Sequence, residues 1–572
     1  MKKYIIGISA YYHESSITLL SENKLLDYIK EEEVTRVKGD HKFPFQTLKL
    51  IINKYKIKNS QIEAIVFYEK PFLGWSAITY NALSSPIKKW KMVLNQFQKF
   101  WTGSLSFSSD LLKIIKIPKK KIFYCPHHIS HALNGIYFTN NRKNNFLIFV
   151  IDGIGDGETM SIFKKINNEI ITEKKCVYPH SIGLFYSTFT QFLGFNVNEG
   201  ESKVMGLASY GTPIFKDFIL NKIISIKNDE ILIDETWFSF TSEPERSYSE
   251  KFENKFGKPG KLIDYSDFKS DEFARLANIA ASVQSATEEL IKILIASFVK
   301  KTSIKNIIFS GGVGLNSRVM QIVSEMNEIE ELTVPASPGD AGSSLGAAIY
   351  GNMVLSNFKF PEFELYPGKF YNENIQSNIF KRLFKKIQLN NGIEDAVADL
   401  IQKGNIIATF INQREFGPRA LGSRSLICAG NQNKVVEKLN IEIKKREKFR
   451  PLAPMIRDEN FDKYFSCANN SKHNLLWMGM TVDVKEEMIN KYPKAVHIDH
   501  TSRVQIINKY NDLFYSLLLK LEEKDIDILI NTSFNIAGDP MVFDFVDCYT
   551  NMKRMDIQYL LADNGLYKIN SI

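Results

Sequence analysis

The chain is predicted to be a two-part α/β protein, a pair of duplicated lobes followed by a second α/β unit. Three observations predict this. A strand with a polar tip and a following hairpin occurs twice, near residue 4 and near residue 146. Glycine turns lead from strands into helices at 306–320 and 335–351, and short β-rich runs alternate with helical stretches in the last third of the chain. With 572 residues, 44% hydrophobic and 24% charged, the chain is too long for one ordinary core and has the composition of a globular protein.

The first strand is YIIGIS, residues 4–9. Lysines precede it as in a secretory leader, but His13 and Glu14 cut the apolar run short and no small-residue cleavage site follows. ITLLSENKLLDYI then reads as two strand segments joined by the polar turn SENK. Residues 88–121 hold nine lysines and one acid, Asp110, a local charge of +8, with Phe97, Phe100, Trp101 and Phe107 interleaved. Such a stretch suits an anionic partner: a nucleic acid, an acidic glycan or a membrane face. A solvated amphipathic insertion is the preferred reading, because no nucleic-acid module signature accompanies it.

YCPHHISHALNGIY, residues 124–137, packs three of the nine histidines into five positions. On a helix, His127 and His131 project from one face and can grip one metal ion, while His128 points elsewhere. The same spacing fits a helix start with buried, hydrogen-bonded histidines, and spacing does not choose between them. The second copy of the strand ends in DGIGDGE, which puts Asp152 at a tip, and TMSIFKKINNEIITEKK follows as its hairpin. His13 and Glu14 occupy the equivalent tip of the first copy, so the duplication brings polar groups from both lobes to one cleft. Asp152 and Asp340, the latter in the loop of PASPGDAGSSLGAAIYG, are the nearest carboxylate candidates for the histidine pair.

Residues 272–301 carry a long helical period, and NIIFSGGVGLNSRVM reads as strand, glycine turn and helix. Glycine there lets backbone amides approach a ligand, and a helix N-terminus favours an anion. Residues 352 to about 392 lack a clean period. The expected division is therefore a two-lobed domain over 1–360, a linker or crossover over 361–392 and a second domain over 393–572. IIATFI, SLICAG and IDILIN are the β-rich runs of that second domain. Arg419, Arg424, Lys444, Arg446, Arg450 and Arg503 stand beside glycine, proline or turns rather than on uniform polar faces, as a polyphosphate or carboxy-phosphate site requires. INTSFN adds Asn531, Thr532, Ser533 and Asn535 as hydroxyl and amide donors. Five scattered cysteines with no CxxC pair predict a cytoplasmic setting without a disulfide framework. No run approaches the roughly 18 apolar residues of a membrane helix.

Taken in order, GISAYYHESS, CPHHISHA, DGIGDGE, ESKVMGLASYG, SGGVGLN, SPGDAGSSLGAA, EFGPRALGSRS, KKREKFRPLAP, SRVQ and NTSFN resemble the O-carbamoyltransferase family of antibiotic and nodulation-factor biosynthesis. Ser209, Gly314 and Ser317 depart from the usual pattern beside the ligand groups without removing them. The resemblance implies duplicated lobes of the actin-like ATPase (ribonuclease H-like) type, similar to the threonylcarbamoyl transferases, joined to a threonylcarbamoyl-AMP-synthase-like domain. It implies an enzyme that makes carbamoyl adenylate from carbamoyl phosphate and ATP, then passes the carbamoyl group to a hydroxyl of a small molecule or saccharide.

By the same resemblance Arg419, Lys444, Arg450 and Arg503 bind ATP and carbamoyl phosphate, with Arg446 and Ser533 beside them. His127, His131 and Asp340 hold a divalent metal, expected to be iron, with Asp152 on or near it, and Mg serves the ATP step. Gly311, Gly312 and Asn316 contact the adenylate. His13 lies by the carbamoyl group, and His13 or Asp152 takes the proton from the hydroxyl. A homodimer is compatible with this reading, and nucleic acid is not an expected partner. The alternatives are a sugar-kinase-like enzyme, threonylcarbamoyl-type transfer to tRNA, and a nucleotide-binding regulatory protein without catalysis.

Overall fold

A computed structural model describes residues 2–570 except 85–88, 168, 244, 356–358, 369–377, 390, 412, 448, 451 and 564. The side chains of Phe97, Phe100 and Trp101 in the lysine-rich stretch also lie outside the described ones. Two units form: residues 1–31 with 39–363, and residues 32–38 with 364–572. A short segment from inside the first lobe thus belongs to the second unit, which linear boundaries do not anticipate.

In the first unit β1 (Tyr4–Ser9), β2 (Ser16–Ser21), β3 (Lys24–Lys30), β4 (Ile62–Phe67) and β5 (Ile122–Tyr124) form a sheet in the order β3-β2-β1-β4-β5. Next, β6 (Phe146–Gly155), β7 (Glu158–Ile166), β8 (Glu169–Val177), β9 (Asn306–Ser310) and β10 (Glu331–Thr333) repeat it as β10-β9-β6-β7-β8. In each, the hairpin partners run antiparallel to the founding strand, while the remaining neighbours run parallel to it. This is the duplicated topology that the actin-like resemblance implies. Every residue of β1 is buried, as is the stretch from Phe146 to Asp152 in β6, as expected of apolar strands covered on both faces.

Helices fill the space beside these sheets. Among them are α1 (His127–Tyr137), α2 (Ile182–Phe192), α3 (Glu201–Ala208), α4 (Asp271–Thr302), α5 (Ser317–Ser324) and α6 (Asp340–Val354). α6 packs on β1, β2 and β4 and against α1, while α1 also touches β6 and β9. Their contact needs glycine: a Cβ on Gly346 would stand 1.7 Å from the Ser130 carbonyl oxygen. Both helices start at the same end, where the parallel strands finish.

The second unit is built on an eight-stranded mixed sheet. Its strands are β11 (Phe384–Lys386), β12 (Ile407–Phe410), β13 (Ser425–Ala429), β14 (Ala453–Arg457), β15 (Gln505–Ile507), β16 (Ile528–Ser533), β17 (Tyr559–Ala562) and β18 (Gly565–Ile569), in the order β11-β18-β17-β12-β13-β16-β14-β15. Val397 and Ile401 on the 393–402 helix and Phe514, Leu517 and Leu521 on the 512–522 helix join Ile427, Met455 and Leu529 in its core. The span expected to be a linker is partly regular: residues 378–383 are helical, and β11 pairs with β18 at the sheet edge. β14 was hidden in the sequence by the proline within it and the basic cluster before it. No helix among the described residues is long and apolar enough to cross a membrane.

Candidate metal centre and anion pocket

α1 begins at His127 because Pro126 precedes it and the Asp156 carboxylate accepts the otherwise free His127 N–H at 2.7 Å. One turn on, His131 occupies the same face, its Nε2 3.1 Å from that of His127. Asp152 lies in β6 where the strand reaches its tip. Its Oδ1 accepts the N–H groups of Gly153 at 2.8 Å and Gly312 at 3.3 Å. Its Oδ2 is thereby aimed at His127 Nε2, 3.3 Å away, and at His131 Nε2, 3.2 Å away. Asp340, the first residue of α6, places Oδ1 3.6 Å from His127 Nε2 and 3.3 Å from His131 Nε2. All four side chains are buried, and one donor atom from each lies within 4.8 Å of the others.

These residues fit a divalent cation. Four ligands at about 2.1 Å in a tetrahedron stand about 3.4 Å from one another, which is the spacing of the measured pairs. His131 Nδ1–H donates to the Pro338 carbonyl at 3.0 Å, which fixes the tautomer and leaves Nε2 a lone pair toward the centre. His127 Nδ1 and Asp340 Oδ2 are buried and make no hydrogen bond. Burial alone would lower the His127 pKa, but the Asp152 hydrogen bond and the charge of Asp340 raise it to about 10. Against its own burial, Asp152 is held well below the carboxylate range by His127 and His131. The cluster therefore favours positive charge among its donor atoms, which a metal ion supplies. All three histidines are buried at the start of α1, and His128, which contacts Ser161 Oγ at 2.6 Å and is pushed down to about 4 by burial, lies apart from the four-residue cluster.

At the strand tip of the first lobe, His13 Nε2–H donates to the Asn198 carbonyl oxygen at 3.0 Å. The tip that bears it is strained at Tyr11, which has φ 78°. Tyr11 is pinned there by donating to Asp110 Oδ2 at 2.7 Å, while Ser106 donates to the same oxygen at 2.9 Å. The lone acid of the lysine-rich stretch thus has a structural task that charge counting did not reveal. Gly311 adopts φ +90° with Ile151 O 2.3 Å from where a Cβ would sit. That turn is what delivers the Gly312 amide to Asp152. Asn316 caps α5, accepting from the Val319 N–H at 3.1 Å, and its amide donates to Gln284 at 2.9 Å. Asp156, also missed, lies in the same acidic turn as Asp152 and was not separable from it by pattern.

The second unit gathers Arg419, Lys444, Arg446, Arg450 and Arg503. The loop carrying Arg419 is held by Glu415, whose Oε1 accepts the backbone N–H groups of Leu421, Ser423 and Arg424 at 2.9, 2.7 and 3.0 Å. Lys444 follows a π-helical stretch, Lys438–Ile443, and donates to Ser533 O at 2.8 Å, Asn535 O at 2.7 Å and Asn535 Oδ1 at 2.6 Å. Ser533 Oγ, 3.2 Å from Lys444 Nζ, stands at the end of β16, and Arg446 donates to Thr532 Oγ1 at 3.1 Å. Burial and neighbouring positive charge push Arg419 down to about 10 and Arg446 to about 9. The same causes hold Lys444 and Arg503 well below their ordinary values. Glu447, 3.6 Å from Arg450, and Asp539 offset this only in part. Arg424 does not join them. It is buried, its guanidinium 3.6 Å over the Phe410 ring and bonded to the Ser423 carbonyl, so it supports the loop and the sequence expectation for it is corrected.

An α/β protein of duplicated lobes with a His2Asp2 cluster, joined to a unit with a buried cluster of basic residues, is the class defined so far. Residues 4–349 match the family described as Carbamoyltransferase N-terminus and residues 398–568 that described as Carbamoyltransferase C-terminus. The chain belongs to the carbamoyltransferase family and is a transferase. An uncharacterized protein of Synechocystis sp., sll1178, is 29% identical over 98% of this chain and 96% of its own length. Nodulation protein NolNO of Sinorhizobium fredii is 24% identical over 98% of this chain and 79% of its own. Among solved structures, the (R)-2-hydroxyglutaryl-CoA dehydratase component A of Acidaminococcus fermentans overlaps 62% of this chain and all of its own, at 14% identity and a TM-score of 0.33.

Proposed function

We propose that the second unit makes carbamoyl adenylate and that the first transfers its carbamoyl group to a hydroxyl of a small molecule or saccharide. Carbamoyl phosphate gives up phosphate to water, the resulting carbamate attacks the α-phosphorus of ATP, and pyrophosphate leaves with Mg. The hydroxyl oxygen then bonds to the carbamoyl carbon, AMP departs, and a proton is released. The observation that carries this reading is the clustering of Arg419, Lys444, Arg446, Arg450 and Arg503: burial together with neighbouring positive charge lowers the pKa values of Arg419, Lys444, Arg446 and Arg503, and a polyanion would relieve that.

In the first unit His127, His131, Asp152 and Asp340 would hold the metal, which we take to be iron. Bound there, it supplies a Lewis acid for a phosphate oxygen of the adenylate. Gly311 and Gly312 bring backbone close to the same point. Asp152 is a poor base, since its charge is spent on two imidazoles, which leaves His13 as the candidate base.

The test is product analysis with carbamoyl phosphate, ATP and candidate acceptors. AMP and pyrophosphate are expected, and ADP would instead indicate a kinase. Lys444→Ala should abolish pyrophosphate release by at least about a hundredfold, the scale of losing a charged group that acts on transferring phosphates. His131→Ala should still release pyrophosphate but form no carbamoylated product, and loss of both would overturn the division of labour.

A further inference from the structure

Arg450 and Arg503 lead into β14 and β15 from the same end, because these neighbouring strands run parallel. Burial and the charges of Arg419, Arg446 and Arg450 lower the Arg503 pKa, so the two lead-in segments bring like charges together. Such charges push apart unless the backbone that carries them is tied. Glu447 approaches Arg450 only to 3.6 Å, and Arg503 Nε is buried without a hydrogen bond. The tie is made by His497, which is itself buried. Its Nε2–H donates at 3.2 Å to the carbonyl of Phe449, the residue before Arg450, and its Nδ1 lies 3.1 Å from Asp499 Oδ1. That carboxylate oxygen also accepts the Thr501 N–H at 3.1 Å and the Thr501 hydroxyl at 2.6 Å, while the His497 N–H donates to the Thr501 carbonyl at 3.0 Å. Ser502 closes the turn by donating to the Ala495 carbonyl at 3.0 Å. The turn therefore ends next to Arg503. The Arg450 carbonyl is taken too, by the Asn440 amide at 3.0 Å. Two consecutive carbonyls at the cluster are thus held by side chains from other segments of the unit, as the support of a precise binding site requires.

We propose that His497 is a positioning residue for the basic cluster, a clamp that holds Arg450 and Arg503 at the spacing a polyphosphate bridges. It rests on the reading of that cluster as an anion site and adds what sets the width of the site. Glutamine places an amide nitrogen where histidine has Nε2, and asparagine places one where it has Nδ1, so the two variants separate the bond to Phe449 from the contact with Asp499. The probe is inorganic tripolyphosphate, titrated calorimetrically into the full chain, with Lys444→Ala marking the binding that belongs to the cluster. His497→Asn is expected to bind about tenfold more weakly, the scale of one charge-assisted hydrogen bond, and His497→Gln to recover most of that loss. Asp499→Asn, which keeps His497 but loosens the turn ahead of Arg503, should weaken binding too, and serves if His497→Asn does not fold. Unchanged affinity in these variants would overturn the clamp and leave the anion site standing. Equal weakening in His497→Asn and His497→Gln would overturn it as well, since a role in the fold alone is not rescued through Nε2. A wild type that does not bind tripolyphosphate, or binding that survives Lys444→Ala, would overturn the anion site and the clamp with it.

Discussion

Single side chains in this protein are set by neighbours distant in sequence. Glu158 shows how: against its burial, His128, Lys175 and Ser161 push its carboxyl down from 4.5 to about 2. A carboxylate whose folded pKa is depressed adds stability above its unfolded value, and that stability is lost as pH falls from about 4.5 toward about 2. Wild type and Glu158→Gln should therefore differ in urea midpoint at pH 7, and the gap should narrow at pH 3.5. Arg503 runs the other way. Its Nε is buried without a hydrogen bond and its neighbours are arginines, so under the proposed function it would serve anion binding at the expense of stability. Arg503→Met is expected to raise the melting temperature of the ligand-free protein by a few degrees, as about 1 kcal/mol would, while pyrophosphate release drops. A lower melting temperature would show that the arginine is compensated within the fold.

At the scale of elements, the candidate metal centre depends on two helices that start side by side. α1 contributes His127 and His131, α6 contributes Asp340, and their separation is set by Gly346 against Ser130. A methyl group there must push the helices apart, at a cost of about 1–3 kcal/mol for overpacking. Gly346→Ala is expected to lower the melting temperature and to reduce bound metal, measured by elemental analysis of the purified protein. Metal content unchanged despite destabilisation would mean that the ligands adjust independently of helix spacing. The strand tips act with these helices, since Asp152 is aimed by amides of Gly153 and Gly312 rather than by its own turn alone.

For the whole molecule, the proposed function implies a reactive intermediate made in one unit and used in the other. Carbamoyl adenylate is an activated acyl phosphate and is short-lived in water. An equimolar mixture of Lys444→Ala and His131→Ala is therefore expected to form carbamoylated product far more slowly than the same amount of wild type, measured by mass spectrometry. Recovery to wild-type rate would mean that the intermediate diffuses freely between molecules.

The duplicated lobes, the helix bearing the histidine pair and the glycine turns were legible from sequence alone, because period, turn chemistry and repetition are local properties of the chain. The basic residues of the second unit were legible as a set, since their places beside breaks in regular structure exclude a uniform polar face. What local pattern cannot carry is convergence. Only the fold decided that Asp152 and Asp340, 188 positions apart, meet the same two imidazoles, that Arg424 turns inward onto Phe410 while Arg419 joins the basic cluster, and that Asp110 pins Tyr11. Each depends on which strands pair and which helices touch, and those contacts are made between segments that the sequence keeps far apart.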